Sequence, residues 1–536
     1  MELDQASLGY YPIRVSERWS KIPWVEIGIL LLAVVLRTVL LDIKPPHFDE
    51  GVNGWFADQI KDRGFYHYDP TNYHGPLHMY AVFISQTLFG RHLWALRLPA
   101  IIASVLGVGM ILRFREFFGP TVVRLAALAM AVSPAFVFYG RYSIHESWMV
   151  FFAAMFLWGV LGLWEKGERR FLNALFIGAT GMILTKETYL VHLVSFALAS
   201  GILWLWQKVI PSSSVIPRAP GTWTWEHLAI AIVCSVFAIV FFYSGNFLDF
   251  PGLAGLYETF AAWIHTGKDS AGHDKPAYQM IGSHKLPGWL NYFWIALMVR
   301  YEWPALIGLA ACARYVGKSD ARLRYIAIYA GGVLYAYSII PYKTPWCIIS
   351  ILWPFLLLFG AILVEGVNLF RRGGATAWLA PLIAAPILLA SLGKSIWLNF
   401  YHFTDEKEPY VYVQTYPEIY IFTDPLLTMA RKDPSYYHKT GQIILDSYYP
   451  LPWMLGDFTS LGYYKETEPP SAYDGDFILT LKENASTVEA GLKGNYFKKV
   501  LRLRDSQGES VAYFREGPFA EYFKGESPEI QKPAAP

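Results

Sequence analysis

The sequence predicts a polytopic α-helical membrane protein of about eleven spans with a small extracytoplasmic α/β domain at its C-terminus. Two observations lead to this prediction. Of the 536 residues, 54% are hydrophobic and 16% are charged, whereas soluble domains carry about a quarter charged residues. Apolar runs long enough to cross roughly 30 Å of hydrocarbon recur as far as residue 397, and short strand-like and helix-like segments follow.

The first predicted span covers residues 23–41. It lacks a small-residue cleavage site, so we interpret it as an uncleaved signal anchor. Lys186 and Glu187 interrupt one pair of apolar runs, 171–185 and 189–206. Including that pair, ten further spans are centred near residues 103, 130, 156, 178, 197, 236, 300, 332, 357 and 387.

The distribution of lysine and arginine predicts the orientation, because cytoplasmic loops are enriched in positive charge. With the N-terminus inside, every positive cluster falls on the cytoplasmic side. The clusters are Arg113, Arg115 and Arg124; Lys166, Arg169 and Arg170; Lys208 and Arg218; Arg314, Lys318, Arg322 and Arg324; and Arg371 and Arg372. We therefore expect a multi-pass plasma-membrane protein with a cytoplasmic N-terminus and an extracytoplasmic C-terminal domain.

Two domains follow from this topology. Residues 1–397 form the membrane domain, including an external loop at 42–92, and residues 398–536 form the α/β domain. Its predicted strands are 441–446, 476–481, 497–503 and 510–515, with helices at 423–431 and 486–492 and a hairpin turn at 505–508. The Pro-rich chain after Gly525 is expected to fray.

The remaining composition excludes some classes. The three cysteines, Cys234, Cys312 and Cys347, lie in apolar runs and form neither a disulfide framework nor a metal-type spacing. A net charge of +2 gives no indication of nucleic acid binding, so we predict no nucleic acid partner.

The external loop at 42–92 contains the first candidate site, the adjacent carboxylates Asp49 and Glu50. Residues 51–62 and 76–89 have the pattern of two interfacial helices, which would form the floor of a cavity at the membrane surface. The alternative interpretation is that the two carboxylates only begin a solvated loop.

Further candidates are predicted on the same membrane face. They are Arg141, His145 and Glu146 between two spans, Lys186 and Glu187 in the interrupted pair, Lys343 between two prolines, and His265 and Lys268 in the loop 246–290. Arg37 lies inside the first span and must face a polar interior or snorkel outward. As alternatives, Arg141 and Glu146 are ordinary interfacial charges, Lys186 pairs with Glu187, and Lys343 caps a helix end.

Carboxylates suit proton abstraction or metal binding, and lysines and arginines suit a phosphate. A phosphorylated lipid that reacts with a hydroxyl or amine requires both. A transporter also requires both, so a lipid-linked-sugar flippase, or its accessory membrane subunit, is the alternative function. Transporters often contain two related halves, and this sequence shows no such repetition. A structural scaffold leaves the clustered carboxylates unexplained.

Several motifs resemble class C glycosyltransferases, in particular the protein O-mannosyltransferases and the lipid A aminoarabinose transferases. The motifs are the carboxylate pair after the first span, His74-Gly75-Pro76-Leu77, Arg97-Leu98-Pro99, Arg141 through Glu146, and Thr185-Lys186-Glu187. They cover residues 24–210. Two departures are the histidine and glycine at 74–75, where a charged residue and proline are expected, and Glu146, where the family has aspartate.

The resemblance implies inverting transfer of a sugar from a polyprenyl-phosphate-linked donor to a protein, lipid or glycan acceptor. Asp49 is then the general base, with Glu50 and Glu146 as further catalytic carboxylates. Arg37, His74, Arg141, His145, Lys186, Glu187, His265, Lys268 and Lys343 are the candidate substrate-binding residues. No cofactor is assigned with certainty; the one candidate is a divalent metal, with Asp49 and Glu146 as its candidate ligands.

Overall fold

Among the described residues, helices dominate the chain up to residue 401, and a five-stranded β-sheet follows. The computed structural model describes residues 23–210, 213–266, 293–317, 320–340, 342–370, 379–504 and 507–532. By their internal contacts, these residues form two units. The helical unit comprises the described residues of 1–39, 67–78 and 97–401. The sheet unit comprises those of 40–66, 79–96 and 402–536.

In chain order, the first ten helices are α1 (Trp24–Thr38), α2 (Phe48–Arg63), α3 (Leu77–Phe89), α4 (Leu93–Arg113), α5 (Arg115–Phe118), α6 (Pro120–Val132), α7 (Pro134–Gly140), α8 (Glu146–Glu165), α9 (Arg169–Ile183) and α10 (Tyr189–Val209). The next seven are α11 (Trp225–Tyr243), α12 (Gly252–Thr266), α13 (Phe293–Tyr301), α14 (Trp303–Gly317), α15 (Ala321–Ile339), α16 (Ile348–Phe370) and α17 (Leu379–Ile396). The last four are α18 (Ile419–Lys432), α19 (Leu451–Met454), α20 (Ala485–Gly491) and α21 (Glu516–Phe519).

Within the described residues, seven helical segments are long and apolar enough to cross a membrane, and a bent pair raises this number to eight. The chain is thus a multi-pass membrane protein, while the count of eleven remains a prediction. Several predicted spans correspond to shorter helices, among them α9 with 15 residues. The break between α9 and α10 contains Lys186 and Glu187, as the sequence predicts. Helices α2 and α3 confirm the two helices predicted in the loop at 42–92.

The bent pair consists of α6 and α7, which meet at 57° around Ser133. Ser133 caps α7 by accepting a hydrogen bond from the Phe136 amide at 3.3 Å. Glu302 accepts hydrogen bonds at the same end, from the Ser133 hydroxyl at 2.6 Å and the Ala135 amide at 2.8 Å. A carboxylate is favourable at a helix N-terminus, where backbone amides lack intrahelical partners. Glu302 therefore stabilises the start of α7, the helix that leads to the 140–146 segment.

Arg37 stabilises the other side of this break. Its guanidinium donates to the carbonyl oxygens of Met130 and Ala131 at the end of α6, at 3.4 and 3.2 Å. It also donates to the Ser104 hydroxyl at 2.7 Å. The side chain is fully buried, so these bonds offset part of its desolvation.

The predicted α/β domain contains a five-stranded mixed sheet. Its strands are β1 (Gly441–Ile444), β2 (Leu461–Tyr464), β3 (Phe477–Leu481), β4 (Tyr496–Leu501) and β5 (Ser510–Arg515), in the order β2-β1-β3-β5-β4. β1 is parallel to β2 and β3, whereas β5 is antiparallel to β3 and β4. The four predicted strands and two predicted helices are confirmed, and β2 was not predicted.

Alternate residues of the strands supply two cores. Phe477 and Leu479 of β3 join a cluster with Phe422 of α18, whereas Ile478 joins a second cluster with Val488 of α20. This period of two is expected of a sheet covered on both faces. The chain after Gly525, for which the sequence predicts fraying, pairs with β4, because Ile530 and Tyr496 exchange two backbone hydrogen bonds of 2.9 and 3.1 Å.

Candidate active site

The carboxylate pair lies in the first turn of α2, and His47 caps this helix. The imidazole Nδ1 accepts a hydrogen bond from the Asp49 amide at 3.0 Å. In return, the Glu50 carboxylate accepts from the His47 amide at 3.0 Å, which completes a capping box. On the other side of the ring, His47 Nε2 lies 2.7 Å from the Tyr412 carbonyl oxygen. Since a carbonyl can only accept, these contacts assign the neutral tautomer with its proton on Nε2.

Burial keeps this imidazole neutral. His47 is 3% exposed, and desolvation lowers its pKa to about 3, with Lys44 acting in the same direction. The hydrogen bond to Tyr412 and the charge of Glu50 oppose this shift. A neutral ring is the form that the cap requires, because Nδ1 must accept from the Asp49 amide.

The two adjacent carboxylates have different environments. Glu50 is fully buried and serves the capping box. Asp49 is half-buried. Successive residues of a helix diverge by about 100°, so the two side chains leave α2 in different directions. Asp49 is therefore the more exposed member of the pair.

Two glycines allow α2 to lie against the segment that precedes and includes α19. A Cβ at Gly51 would come within 2.3 Å of Pro450 Cα, and a Cβ at Gly54 within 2.3 Å of the Trp453 indole. Real Cβ atoms do not approach this closely, so both positions require glycine. The helix that carries Asp49 is thus packed directly on the C-terminal part of the chain.

Arg91 reinforces this packing. Its guanidinium forms a bidentate ion pair with Asp58 of α2, at 2.7 and 2.9 Å. It also donates to the Trp453 carbonyl at 2.8 Å and to Asp457 at 3.2 Å. Bidentate arginine–carboxylate pairs fix geometry as well as charge.

In the helical unit, Lys186 and Glu146 form a buried ion pair. Lys186 Nζ lies 2.6 Å from Glu146 Oε1, and the side chains are 7% and 4% exposed. The lysine therefore does not pair with its neighbour Glu187, the alternative considered from the sequence. A buried charge pair of this kind strongly couples its two members.

The 74–77 motif packs on the same segment through its backbone. His74 and Lys186 form an antiparallel bridge, and the Gly75 amide donates to the Thr185 carbonyl at 3.0 Å. A Cβ at Gly75 would come within 2.3 Å of the Leu184 carbonyl oxygen. This close approach explains why position 75 is a glycine here, although the family pattern has a proline.

Three histidines surround this segment. The His145 ring lies 4.5 Å from the His74 ring and 4.7 Å from the His78 ring, measured between centroids. His74 Nδ1 lies 3.4 Å from a Glu187 carboxylate oxygen, and His78 Nε2 lies 3.1 Å from the Ser143 hydroxyl. The structure thus brings together five sequence-predicted residues of the helical unit: His74, His145, Glu146, Lys186 and Glu187.

The other predicted binding residues contact backbone or lie elsewhere. Arg141 is buried, donates to the carbonyls of Leu36 and Val39 at the end of α1, and stacks on a phenylalanine ring. Lys343 is buried and donates to the Ile340 carbonyl at the end of α15 at 2.5 Å, the helix-capping alternative. His265 is exposed near the end of α12. Lys268 lies outside the described residues.

The arrangement of potential metal ligands bears on the predicted metal site. Across the described ranges, no group of three or more His, Cys, Asp or Glu side chains has a metal-binding arrangement. The assignment of Asp49 and Glu146 as metal ligands remains a prediction.

Sequence reasoning missed several residues around these groups. Glu302 had a detectable signal, since an isolated carboxylate in an apolar run marks a buried polar function. Ser133-Pro134 is a helix-start signal within a predicted span. Arg504, which lies over the ring of Phe48, the residue before Asp49, had no such signal, because a charged residue after a strand is ordinarily solvated.

Comparison with known proteins agrees with this architecture. Residues 73–243 match the family model for dolichyl-phosphate-mannose-protein mannosyltransferases. A putative mannosyltransferase of Bacillus subtilis (strain 168), YkcB, is 27% identical over 163 residues, which is 28% of this chain and 23% of that protein. The match thus spans about a quarter of the length of the curated relative. Asp49 lies outside the stretch that matches the family model.

The fold has solved counterparts. The crystal structure of ArnT from Cupriavidus metallidurans bound to undecaprenyl phosphate has a TM-score of 0.58 and 13% identity, covering 91% of this chain and 98% of that one. The apo form of the same protein gives a TM-score of 0.54 and 14% identity, covering 91% and 97%.

These findings confirm the resemblance to class C glycosyltransferases that the motifs predict. The fold is shared over nearly the whole chain, and the sequence similarity is to mannosyltransferases.

Proposed function

We propose that this protein transfers a sugar from a polyprenyl-phosphate-linked donor to a hydroxyl or amine acceptor on the extracytoplasmic face, with inversion and with Asp49 as the general base. The acceptor is a protein, a lipid or a glycan. Mannose is the first sugar to test, because the family model describes mannosyltransferases and the curated relative is a putative mannosyltransferase. The solved counterpart bound to undecaprenyl phosphate supports the class of donor.

The observation that carries the proposal is the difference between Asp49 and Glu50. A general base must reach the proton that it accepts, to within about 3 Å in the reactive complex. Glu50 is fully buried in its capping box, whereas Asp49 is half-buried at the same helix end. This difference in burial supports Asp49, rather than Glu50, as the base.

In the proposed step, the acceptor oxygen or nitrogen attacks the anomeric carbon as the bond from that carbon to the phosphate oxygen breaks. The electron pair of that bond leaves with the lipid phosphate. The acceptor proton passes to Asp49. We assign Lys186 to the donor phosphate because a lysine ammonium suits a phosphate. The Glu146 carboxylate, 2.6 Å away, holds this lysine in place.

The test is transfer of labelled mannose from a synthetic short-chain polyprenyl phosphate by purified protein. Membranes from a strain that lacks the gene supply the acceptors, and donor binding is measured separately. Asp49→Asn should lower the rate about 10²- to 10⁴-fold while donor binding stays near the wild-type value. Lys186→Gln should weaken donor binding more than it slows the transfer step, and it should also lower stability because Glu146 loses its partner.

Glu50→Gln is the matched control, because the glutamine oxygen can still accept from the His47 amide. It should fold and retain most of its activity. An Asp49→Asn protein that transfers mannose at more than about a tenth of the wild-type rate would overturn the assignment of the base.

A further inference from the structure

Arg504 follows β4 and is 2% exposed, although arginine is rarely buried without charged or polar partners. Its guanidinium donates to the Tyr449 carbonyl and to the Ser447 hydroxyl, the latter at 3.3 Å. Both acceptors belong to the segment that leads from β1 to α19. The C-terminal part of the chain thus holds this cation in one place.

The held guanidinium faces the start of α2. Its carbon lies 5.0 Å from the centroid of the Phe48 ring, and Phe48 precedes Asp49 in the first turn. The Phe48 ring also contacts the Tyr449 ring edge-on at 5.3 Å. Burial lowers the pKa of Arg504 to about 10, and the charge of Asp49 opposes that effect. The arginine and the carboxylate therefore interact electrostatically.

The geometry between them is fixed by packing. Gly51 and Gly54 place α2 in van der Waals contact with Pro450 and Trp453, a few residues beyond the backbone that Arg504 binds. His47 ties the same helix end to Tyr412. Neither α2 nor the arginine can shift without breaking these contacts.

We propose that Arg504 is a positioning residue that holds the Asp49 carboxylate ionised and correctly oriented, so that the C-terminal α/β domain completes the catalytic centre. This inference rests on the proposed role of Asp49 as general base. It gives the domain a function in the reaction itself. It also predicts that loss of this charge lowers turnover without weakening donor binding.

Two variants of nearly equal length test the charge, Arg504→Met and Arg504→Lys. Arg504→Met should lower kcat roughly 10- to 100-fold, the range expected when a reacting group is misplaced, with the donor KM within about twofold of wild type. Arg504→Lys keeps the charge and should restore most of the lost kcat. The exposed Arg502 lies two residues away, and Arg502→Met should have wild-type activity.

The outcomes separate this inference from the proposed function. A folded Arg504→Met protein with wild-type kcat, beside an inactive Asp49→Asn, would refute the role of Arg504 and leave the base intact. An active Asp49→Asn would refute the proposed function. Should Arg504→Met not fold, Phe48→Leu removes the ring beneath the guanidinium and leaves every charge. It should lower kcat about tenfold, and an unchanged kcat would overturn the inference.

Discussion

The buried cap of α2 predicts a measurable dependence of stability on pH. His47 has a pKa of about 3 in the folded protein and about 6.5 when exposed. Above pH 6.5 the ring is neutral in both states, so the full stability is present. As the pH falls below 6.5, the open state binds a proton that the folded state does not bind until about pH 3. The cap therefore loses stability over this window.

The size of the effect follows from the same values. pH 5.0 lies about 1.5 units below the pKa of the exposed ring, and each unit corresponds to about 1.4 kcal/mol, so the opening of α2 becomes easier by about 2 kcal/mol. That is roughly a 30-fold increase in the open population.

His47→Asn is the matched variant. Asparagine is a good helix cap and does not titrate, but it loses the ring's hydrogen bond to Tyr412, worth about 1 kcal/mol. At pH 7.5 the wild type should be the more stable protein by about this amount. At pH 5.0 the order should invert.

Hydrogen–deuterium exchange of peptides that cover α2 measures both proteins at both pH values, after correction for intrinsic exchange rates. The protection of wild-type α2 should fall about 30-fold more than that of the variant between pH 7.5 and pH 5.0. The same fall in both proteins would show that His47 is not held neutral by burial.

Three further predictions concern packing and buried charge, each measured by thermal unfolding of the purified protein in detergent. Gly54→Leu should destabilise the sheet unit by about 1–3 kcal/mol, because even a Cβ would meet the Trp453 indole at 2.3 Å; wild-type stability would contradict this contact. Lys186→Met should lower the free energy of unfolding by about 3–5 kcal/mol, because it leaves Glu146 buried and unpaired. Adding Glu146→Gln should recover most of this loss, and no recovery would refute the coupling of the two residues. Glu302→Gln should lower the free energy of unfolding by about 1.5–3 kcal/mol, because it weakens the charged cap of α7. An unchanged melting temperature would count against that cap.

Regular patterns in the sequence were sufficient to predict much of the fold. Short apolar runs bounded by turn residues located four strands, because strands of a sheet that is covered on both faces carry few polar residues. Leu461–Tyr464 was missed, since four residues that include a glycine and lie at the sheet edge carry little periodic signal. Apolar length predicted most helices but not the break at Ser133, where local capping overrides composition.

The candidate site was only partly predictable. Adjacent residues on a helix do not face each other, so the separate roles of Asp49 and Glu50 follow from local geometry. The partner of Lys186 does not follow from local geometry. Glu146 lies 40 residues earlier, and only tertiary packing brings the two side chains together. The same is true of Arg504, which folding carries from the C-terminal part of the chain to the start of α2.

The position of Asp49 at a helix N-terminus, near a buried arginine, favours an ionised carboxylate, and a strongly stabilised carboxylate is a weak base. This is compatible with the proposed reaction. A lipid phosphate is a good leaving group, so its bond to the sugar can be largely broken before the acceptor proton moves. Once the acceptor oxygen begins to bond to the cationic carbon, its proton becomes strongly acidic and a weak base suffices. The base must then be correctly positioned relative to the acceptor proton, and it need not be strong. In the proposed reaction, the cap of α2, the two glycine contacts and the fixed Arg504 hold the Asp49 carboxylate in this position.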